Sequence, residues 1–203
     1  MKKLMLTIIV VLIAVFNFTA NAQQPPCDVC TAPKVCWTRV VQIPDCGSVN
    51  VIICVLCDPI QALAYIDIVG LEKRPGWNEN CDINSDFVWD LAVADVLDHS
   101  LEYCGIVPCS GGVSKAIYLT QPSCMHYYPE TGNKYYDPTW CGTRRITCKY
   151  WVCYDEETGL TSRSRDYSYW EESGEYNNEH GCNPVPDYRY NCITINVKCP
   201  DQL

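Results

Sequence analysis

The 203-residue chain has 24 acidic and 15 basic residues, a formal net charge of −9, and 16 cysteines. A chain this acidic repels phosphate backbones, which excludes nucleic acid from the expected partners and favours cationic partners or divalent cations. So many cysteines are typical of an exported protein, because disulfides form and persist in an oxidising compartment.

The first residues have the pattern of a secretory signal peptide. A short basic start is followed by an apolar run at residues 4–18 and then by the small-x-small sequence Ala20-Asn21-Ala22. The apolar run has about fifteen residues, fewer than the roughly twenty that a membrane-spanning helix needs. We therefore predict a signal peptide at residues 1–22, cleavage near Ala22 and no later membrane span. The mature protein is expected to be secreted, periplasmic or on the cell surface.

Residues 23–58 are predicted to form an N-terminal cysteine-rich β segment. Two runs rich in valine and isoleucine, at residues 36–43 and 49–56, are typical of strands. Proline, aspartate and glycine lie between them at residues 44–47 and have the chemistry of a turn. The pattern therefore predicts a hairpin that disulfides hold together.

The cysteine spacing in this segment has two further interpretations. Cys27-x2-Cys30 and Cys54-x2-Cys57 match the spacing of a zinc ribbon, and the second pair could also form a redox site. The export signal favours disulfides over zinc. Asp58, followed by proline, places a negative charge beside Cys57, which disfavours a reactive thiolate.

We therefore predict no metal at these cysteines, no cofactor, and a set of disulfides whose pairing the sequence leaves open. All sixteen cysteines are assigned to this set: Cys27, Cys30, Cys36, Cys46, Cys54, Cys57, Cys81, Cys104, Cys109, Cys124, Cys141, Cys148, Cys153, Cys182, Cys192 and Cys199.

Residues 59–104 are predicted to form a helical segment. Asp58 followed by Pro59 resembles a helix start, and apolar residues then follow at helical spacing: Ile60, Leu63, Ala64 and Ile68. A second helix is predicted where apolar residues recur at three- and four-residue steps: Trp89, Val93, Val96, Leu97 and Leu101.

Polar residues before the second helix form a weak calcium candidate. Asp82, Asn84 and Asp86 are spaced like the first three ligands of a calcium loop. Phe87 and Val93 stand where the EF-hand pattern needs glycine and an acidic residue, which excludes an EF-hand. An irregular calcium site stays open, beside the alternative that these residues only begin a helix.

Residues 105–203 are predicted to form a tyrosine-rich β region. Twelve of the fourteen tyrosines lie between Tyr118 and Tyr190. Residues 116–120, 144–154 and 162–170 have strand character, and the turn at residues 155–159 joins the last two into a hairpin. Residues 192–198 alternate between apolar and polar side chains and predict a last strand.

Aromatic side chains on this hairpin form the candidate binding site. Rings on a sheet surface stabilise cross-strand pairs, but they also bind partners, because they offer contact area at a low entropic cost. The candidate residues are Tyr150, Trp151, Tyr154, Tyr167, Tyr169 and Trp170.

The sequence contains no recognisable catalytic motif. Neighbouring acidic residues, such as Glu156-Glu157 and Glu171-Glu172, would face opposite sides of a strand and could not share acid–base work. We predict no catalytic residues. Two alternatives stay open: a small secreted hydrolase with glycosidase-type carboxylates, and a disulfide-rich enzyme inhibitor that presents the loop at residues 128–138.

The sequence thus predicts a disulfide-rich α+β fold, mainly antiparallel β with a central region of about two helices, in which residues 23–203 form one compact unit. The predicted function is non-enzymatic: binding, adhesion or a structural role outside the cytoplasm. The expected partner is an extracellular protein or a glycan.

Overall fold

The computed structural model describes residues 27–105, 107–177, 192–197 and 199. The predicted signal peptide at residues 1–22 lies outside this part of the chain, and so do Cys182 and residue 198 of the predicted last strand.

Nine strands in the described residues form one mixed sheet, and two helices lie between the third and fourth strands. The strands are β1 (Val35–Ile43), β2 (Gly47–Asp58), β3 (Leu63–Lys73), β4 (Lys115–Pro122), β5 (Cys124–Tyr128), β6 (Asn133–Tyr135), β7 (Arg145–Tyr154), β8 (Thr161–Ser173) and β9 (Cys192–Thr194). The helices are α1 (Asp86–Asp98) and α2 (Ser100–Cys104).

Strand β3 is the centre of the sheet. It pairs along its length with β2, which pairs with β1, and both pairings are antiparallel. Its other edge is shared, since residues 63–67 run parallel to β4 and residues 70–71 run antiparallel to β6. Strands β4, β7 and β8 continue the sheet on one side, and β6, β5 and β9 on the other. The parallel β3–β4 pair requires a long crossover, and the two helices provide it.

The predicted β1–β2 hairpin and β7–β8 hairpin are both confirmed. The predicted helix at residues 60–68 is wrong, because β3 begins at Leu63. The Asp58 carboxylate accepts hydrogen bonds from the backbone of Ile60 and Gln61, so it caps a turn, and Ala62 has a φ of 54°. The apolar residues that fit a helical period also fit a strand buried between β2 and β4.

A β-bulge in β3 changes which side chains face the helices. Ile53 pairs with Ile68 and Ile52 pairs with Gly70, which leaves Val69 without an opposite residue. Before the bulge, Ile66 and Ile68 pack toward the helices, and after it Leu71 does so. Val69 joins a smaller cluster on the opposite face, with Ile52 and Tyr136.

Gly70 lies where the packing leaves no room for a side chain. A Cβ atom there would lie 2.9 Å from Cδ1 of Ile52 and 3.1 Å from Cδ1 of Tyr135. We expect Gly70→Ala to lower the free energy of unfolding by about 1–3 kcal/mol, because a packed interior resists added volume. Urea denaturation measures the loss. The control is Gly111→Ala, whose nearest neighbour would be Cγ2 of Val113 at 3.6 Å, and an equal loss in both variants would contradict the prediction.

Helix α1 packs on one face of the sheet, which we call the inner face. Its N-cap is Ser85. The apolar residues whose spacing predicts a helix in this part of the chain are buried. The helix is held at both edges of the sheet. The Asp95 carboxylate accepts from Arg39 of β1 at 2.7 Å, and the Asp98 carboxylate accepts from Arg163 of β8 at 2.6 Å.

Seven disulfides join described cysteines: Cys27–Cys36, Cys30–Cys54, Cys46–Cys81, Cys57–Cys104, Cys109–Cys153, Cys141–Cys192 and Cys148–Cys199. Cys124 is also disulfide-bonded, and none of the described cysteines is free. The predicted disulfides are therefore confirmed for the fifteen described cysteines. The two cysteines of each Cys-x2-Cys pair are not bonded to each other, since each has a disulfide partner elsewhere in the chain. The pairs therefore form neither a redox pair nor a zinc ribbon.

Disulfides in this number indicate an extracellular, disulfide-stabilised protein. Within the described ranges, no helix is both long enough and apolar enough to cross a membrane.

Candidate functional site

The six aromatic residues predicted to form a binding face lie on two sides of the sheet. Tyr150 is fully buried against the helices, and Tyr154 is half-buried on the same inner face. Trp151 lies on the opposite face, which we call the outer face, and is 38% exposed.

A large bulge in β8 separates the remaining three aromatic residues. Cys148 pairs with Trp170 while Tyr150 pairs with Arg165, so residues 166–169 form extra backbone in β8. Tyr167 is exposed and lies against the Arg165 guanidinium. Tyr169 turns to the outer face, where it contacts Tyr118.

Three tyrosines form a continuous row across the outer face, which we call the tyrosine row. Tyr65 of β3 stacks on Tyr118 of β4 with 5.2 Å between ring centroids, and Tyr169 of β8 meets Tyr118 edge-on at 5.1 Å. Only Tyr169 belongs to the set predicted from the sequence. The contacts fix all three rings, which lowers the entropy that binding a partner would cost.

A row of polar side chains lies next to the tyrosine row, and we call it the polar row. Its members are cross-strand neighbours from β3, β4, β7 and β8, in the order Asp67, Thr120, Thr147 and Glu171. The two threonine hydroxyls lie 3.1 Å apart. The polar row thus carries carboxylate and hydroxyl groups across four strands in one line.

The two rows line a shallow groove of about 400 Å³, which we call the outer-face groove. The tyrosine row forms one side, the polar row forms the floor, and Lys34, Arg145 and Ser173 line the other side. The ten residues come from four strands and from the loop before β1, so the groove exists only in the folded sheet.

Charges in the groove are paired. Asp67 is 7% exposed and forms an ion pair with Lys34, while Arg145 lies 3.8 Å from the same carboxylate. The Arg145 guanidinium also lies 4.1 Å from the ring centroid of Tyr136, which holds it in place.

A tyrosine hydroxyl holds the second carboxylate of the groove. The Tyr169 hydroxyl donates to Glu171 at 2.6 Å, and this hydrogen bond raises the pKa of Tyr169 to about 12. The hydroxyl therefore stays protonated at neutral pH and keeps Glu171 at the end of the polar row.

The aromatic surface extends past the tyrosine row through Lys149. Its ammonium lies 4.3 Å from the ring centroid of Trp151 and pairs with Asp166 at 3.0 Å. Hydrogen bonds from Ser168 and then Lys149 lower the pKa of Asp166 to about 2. The carboxylate thus stays ionised and keeps the Lys149 ammonium over the indole.

A larger cleft, of about 610 Å³, lies at the C-terminal end of α1. It includes the carboxylates of Asp98 and Glu102. Each is held by an arginine, Asp98 by Arg163 at 2.6 Å and Glu102 by Arg39 at 3.0 Å. Burial raises the pKa of Asp98. A glycosidase needs one protonated and one ionised carboxyl group on either side of the substrate bond. The raised pKa of Asp98 suits the protonated role, but Arg163 opposes the shift, and both carboxylates have an arginine partner that stabilises the ionised form.

The weak calcium candidate lies in the turn before α1 and at the first residue of that helix. The Asp82 carboxylate accepts from the backbone N–H of Asn84 at 2.8 Å, and the Asp86 carboxylate accepts from Asn196 at 2.9 Å. Among the described residues, the one set of three His, Cys, Asp or Glu ligand atoms lying together is formed by disulfide-bonded cysteines. Asp82 thus closes the turn that precedes α1, and Asn196 holds the Asp86 carboxylate at the first residue of the helix.

The loop at residues 128–138, which was the basis for the inhibitor alternative, lies largely within the β5–β6 hairpin. Tyr128 pairs with Asn133 across a short turn, and Tyr136 donates its backbone N–H to Val69 of β3. The segment is thus part of the sheet, whereas a protease-inhibiting loop projects from its scaffold.

Sequence reasoning missed Tyr65 and Tyr118, which are central to the groove. The signal that could have found them is a period of two. In β3, Ala64 and Ile66 alternate with Tyr65, and in β4 Ile117 and Leu119 alternate with Tyr118. Both patterns predict a strand with an apolar inner face and an aromatic outer face.

Comparisons with known proteins give no relative. No protein-family model matches the chain, no curated protein matches it, and no solved structure matches it. Function therefore has to follow from the geometry of the site.

Proposed function

We propose that this is an extracellular, non-enzymatic binding protein that holds a glycan in the outer-face groove. The observation that carries the proposal is the tyrosine row lying directly beside the polar row. The many disulfides support the extracellular setting.

A sugar chain needs both rows. Its hydroxyls are donors and acceptors, and the carboxylates, hydroxyls and guanidinium of the groove supply matching partners. The apolar C–H faces of its rings pack on aromatic side chains. Tyr65, at the end of the tyrosine row, is 37% exposed and is accessible to such a ring.

A protein partner is favoured less. The core of a protein–protein interface is depleted of charged residues, and its aromatic anchors enter pockets on the partner. The outer-face groove instead has four charged side chains in its lining, and its tyrosines lie against one another.

Removing the central ring of the tyrosine row is expected to weaken glycan binding strongly. We expect Tyr118→Ala to lower the affinity for an array-selected glycan at least about tenfold, because a loss of about 1.4 kcal/mol has that effect. Thr147→Val, which removes one hydroxyl from the polar row at almost constant volume, should also weaken binding. A glycan array followed by isothermal titration calorimetry provides the measurement.

The matched control is Trp170→Ala. Trp170 is 54% exposed and lies on β8 outside the groove lining. Its variant should bind like the unmodified protein. Unchanged binding by both Tyr118→Ala and Thr147→Val, or no glycan bound by the folded protein at all, would contradict the proposal.

A further inference from the structure

We infer that the outer-face groove selects an uncharged glycan chain and that the chain lies across the strands, along the polar row. The inference rests on the proposed function and specifies its ligand.

Charge complementarity excludes ionic glycans as the preferred ligand. The groove lining contains two cations, Lys34 and Arg145, and two carboxylates, Asp67 and Glu171, so its formal charge is zero. Both cations lie at the Asp67 carboxylate, which offsets one of the two positive charges, and Glu171 balances the other from the opposite end of the polar row. The whole chain has a formal net charge of −9, which disfavours the approach of sulfated and uronate-rich polymers.

The register of the strands sets the direction of the ligand. The polar row runs from β3 through β4 and β7 to β8. It therefore crosses three interstrand spacings of about 4.8 Å each, about 14 Å in all, which is the length of about three sugar units. The tyrosine row runs parallel to it along one side, so a chain lying in the groove meets aromatic and polar groups at each unit.

Asp67 acts as a positioning residue. It is almost fully buried, and it fixes Lys34 from the N-terminal loop and Arg145 from β7 on the same side of the groove. Two disulfides, Cys27–Cys36 and Cys30–Cys54, hold the loop that carries Lys34 against β1 and β2. The donors that face the sugar hydroxyls are thus preorganised before the ligand arrives.

Glu171 sits at the β8 end of the polar row, and its side chain is exposed. It is the carboxylate that a ligand reaches first from solvent. We therefore expect the charge of this carboxylate to repel anionic sugars at that end of the groove.

The test compares defined oligosaccharides of increasing length by calorimetry. Uncharged probes are β-1,4-linked and α-1,4-linked glucose oligomers together with the neutral glycans selected on the array, and charged probes are oligogalacturonates and heparin oligomers. For the best uncharged series we expect affinity to rise with length and to level off at about three to four units. The affinity should change less than about twofold between about 0.05 M and about 0.5 M salt.

Glu171→Gln is expected to reduce the preference of the groove for uncharged over anionic oligosaccharides. It should raise the affinity for oligogalacturonates about fivefold, because the attraction or repulsion of two charges at contact distance in water is about 1 kcal/mol. The matched control is Glu157→Gln, which removes the same charge from the exposed β7–β8 turn and should leave that affinity unchanged.

Failure of the inference is distinguishable from failure of the proposed function. Tighter binding of the charged probes, lost in Tyr118→Ala and steeply weakened by salt, would overturn the uncharged preference and leave the groove as a glycan site. Affinity that levels off at a single unit, or still rises beyond six, would overturn the orientation across the strands. Binding that is insensitive to Tyr118→Ala for every probe would overturn both.

Discussion

Replacing both Cys57 and Cys104 with alanine is expected to lower the free energy of unfolding by about 4 kcal/mol. The disulfide between them joins the end of β2 to the end of α2 across a sequence separation of 47. A bridge over a segment of this size removes much of the freedom of the unfolded chain. It also fixes the crossover that connects the parallel strands β3 and β4. Its loss therefore loosens the helices that pack on the inner face of the sheet.

The matched comparison removes Cys27 and Cys36 instead. That bridge spans a separation of only 9 and lies at the start of the described chain, so its removal should cost about 3 kcal/mol at most by the same loop-closure reasoning. Guanidinium denaturation of both double variants, with the other disulfides intact, measures the difference. A smaller loss for Cys57 and Cys104 than for Cys27 and Cys36 would contradict this reading.

The second large effect is a rise in stability at alkaline pH that depends on one buried lysine. Lys134 is fully buried, its ammonium donates to the backbone carbonyl of Ile83 at 2.9 Å, and it lies 5.6 Å from the ring centroid of Trp89. Burial lowers the pKa of Lys134 to about 8 from its usual 10.5, although the charge of Asp82 opposes the shift.

The sign of the effect follows from proton binding. Below pH 8 both the folded and the unfolded chain bind the proton, so the cost of burying the ammonium is present in full. Between about pH 8 and pH 10.5 the folded chain has lost the proton while the unfolded chain keeps it. Stability therefore rises through this window, by up to about 3 kcal/mol.

Lys134→Met isolates this contribution, because methionine has a similar length and no charge. We expect the difference in unfolding free energy between the two proteins to change by about 3 kcal/mol between pH 7.5 and pH 10.5. Other groups, such as Lys115, whose pKa burial also lowers, act equally in both proteins. If the unfolding free energies of the two proteins changed with pH in parallel, the result would show that Lys134 is not buried in its charged form.

Elements with local signals could be predicted from the sequence. Helix α1 has four of the predicted apolar residues at helical steps, the fifth, Leu101, lies in α2, and all five are buried; Ser85 precedes the first turn of α1 as its N-cap. The β7–β8 hairpin has a turn in which the Asp155 carboxylate accepts backbone hydrogen bonds from Glu157 and Thr158. Signals of this kind require no knowledge of distant segments.

The β3 strand could not be assigned by the same reasoning. Leu63, Ala64 and Ile68 fit a helical period, while Ala64 and Ile66 on either side of Tyr65 fit a strand, so the order of residues alone favours neither. The decision comes from β2 and β4, which offer hydrogen bonds on both edges of β3. A propensity summed over a short window cannot represent those partners.

The groove was missed for a related reason. Tyr65, Tyr118 and Tyr169 are far apart in sequence, and the parallel pairing of β3 with β4 is what brings the first two together. The bulge in β8 then returns Tyr169 to the outer face. Sequence reasoning found the aromatic surplus in the right region but placed the binding face on β7 and β8 alone, where Tyr150 is buried.

The structure also shows how the acidic side chains of the groove and the α1 cleft are compensated in the folded chain. Cationic partners and divalent cations are what the net charge of −9 favours when it is taken alone. In the folded chain, however, the carboxylates of the groove and of the α1 cleft have arginine, lysine or tyrosine partners. We infer that charge acts at the groove mainly by disfavouring polyanions.

The most direct measurement is a two-dimensional NMR titration of the isotope-labelled, oxidised protein with its tightest-binding uncharged oligosaccharide. We predict the largest shifts at the backbone amides of Tyr65, Thr120 and Thr147, which share the outer-face groove. Shifts confined to Leu101 and Thr161, which line the cleft at the end of α1, would contradict binding in the groove and would place the ligand in that cleft.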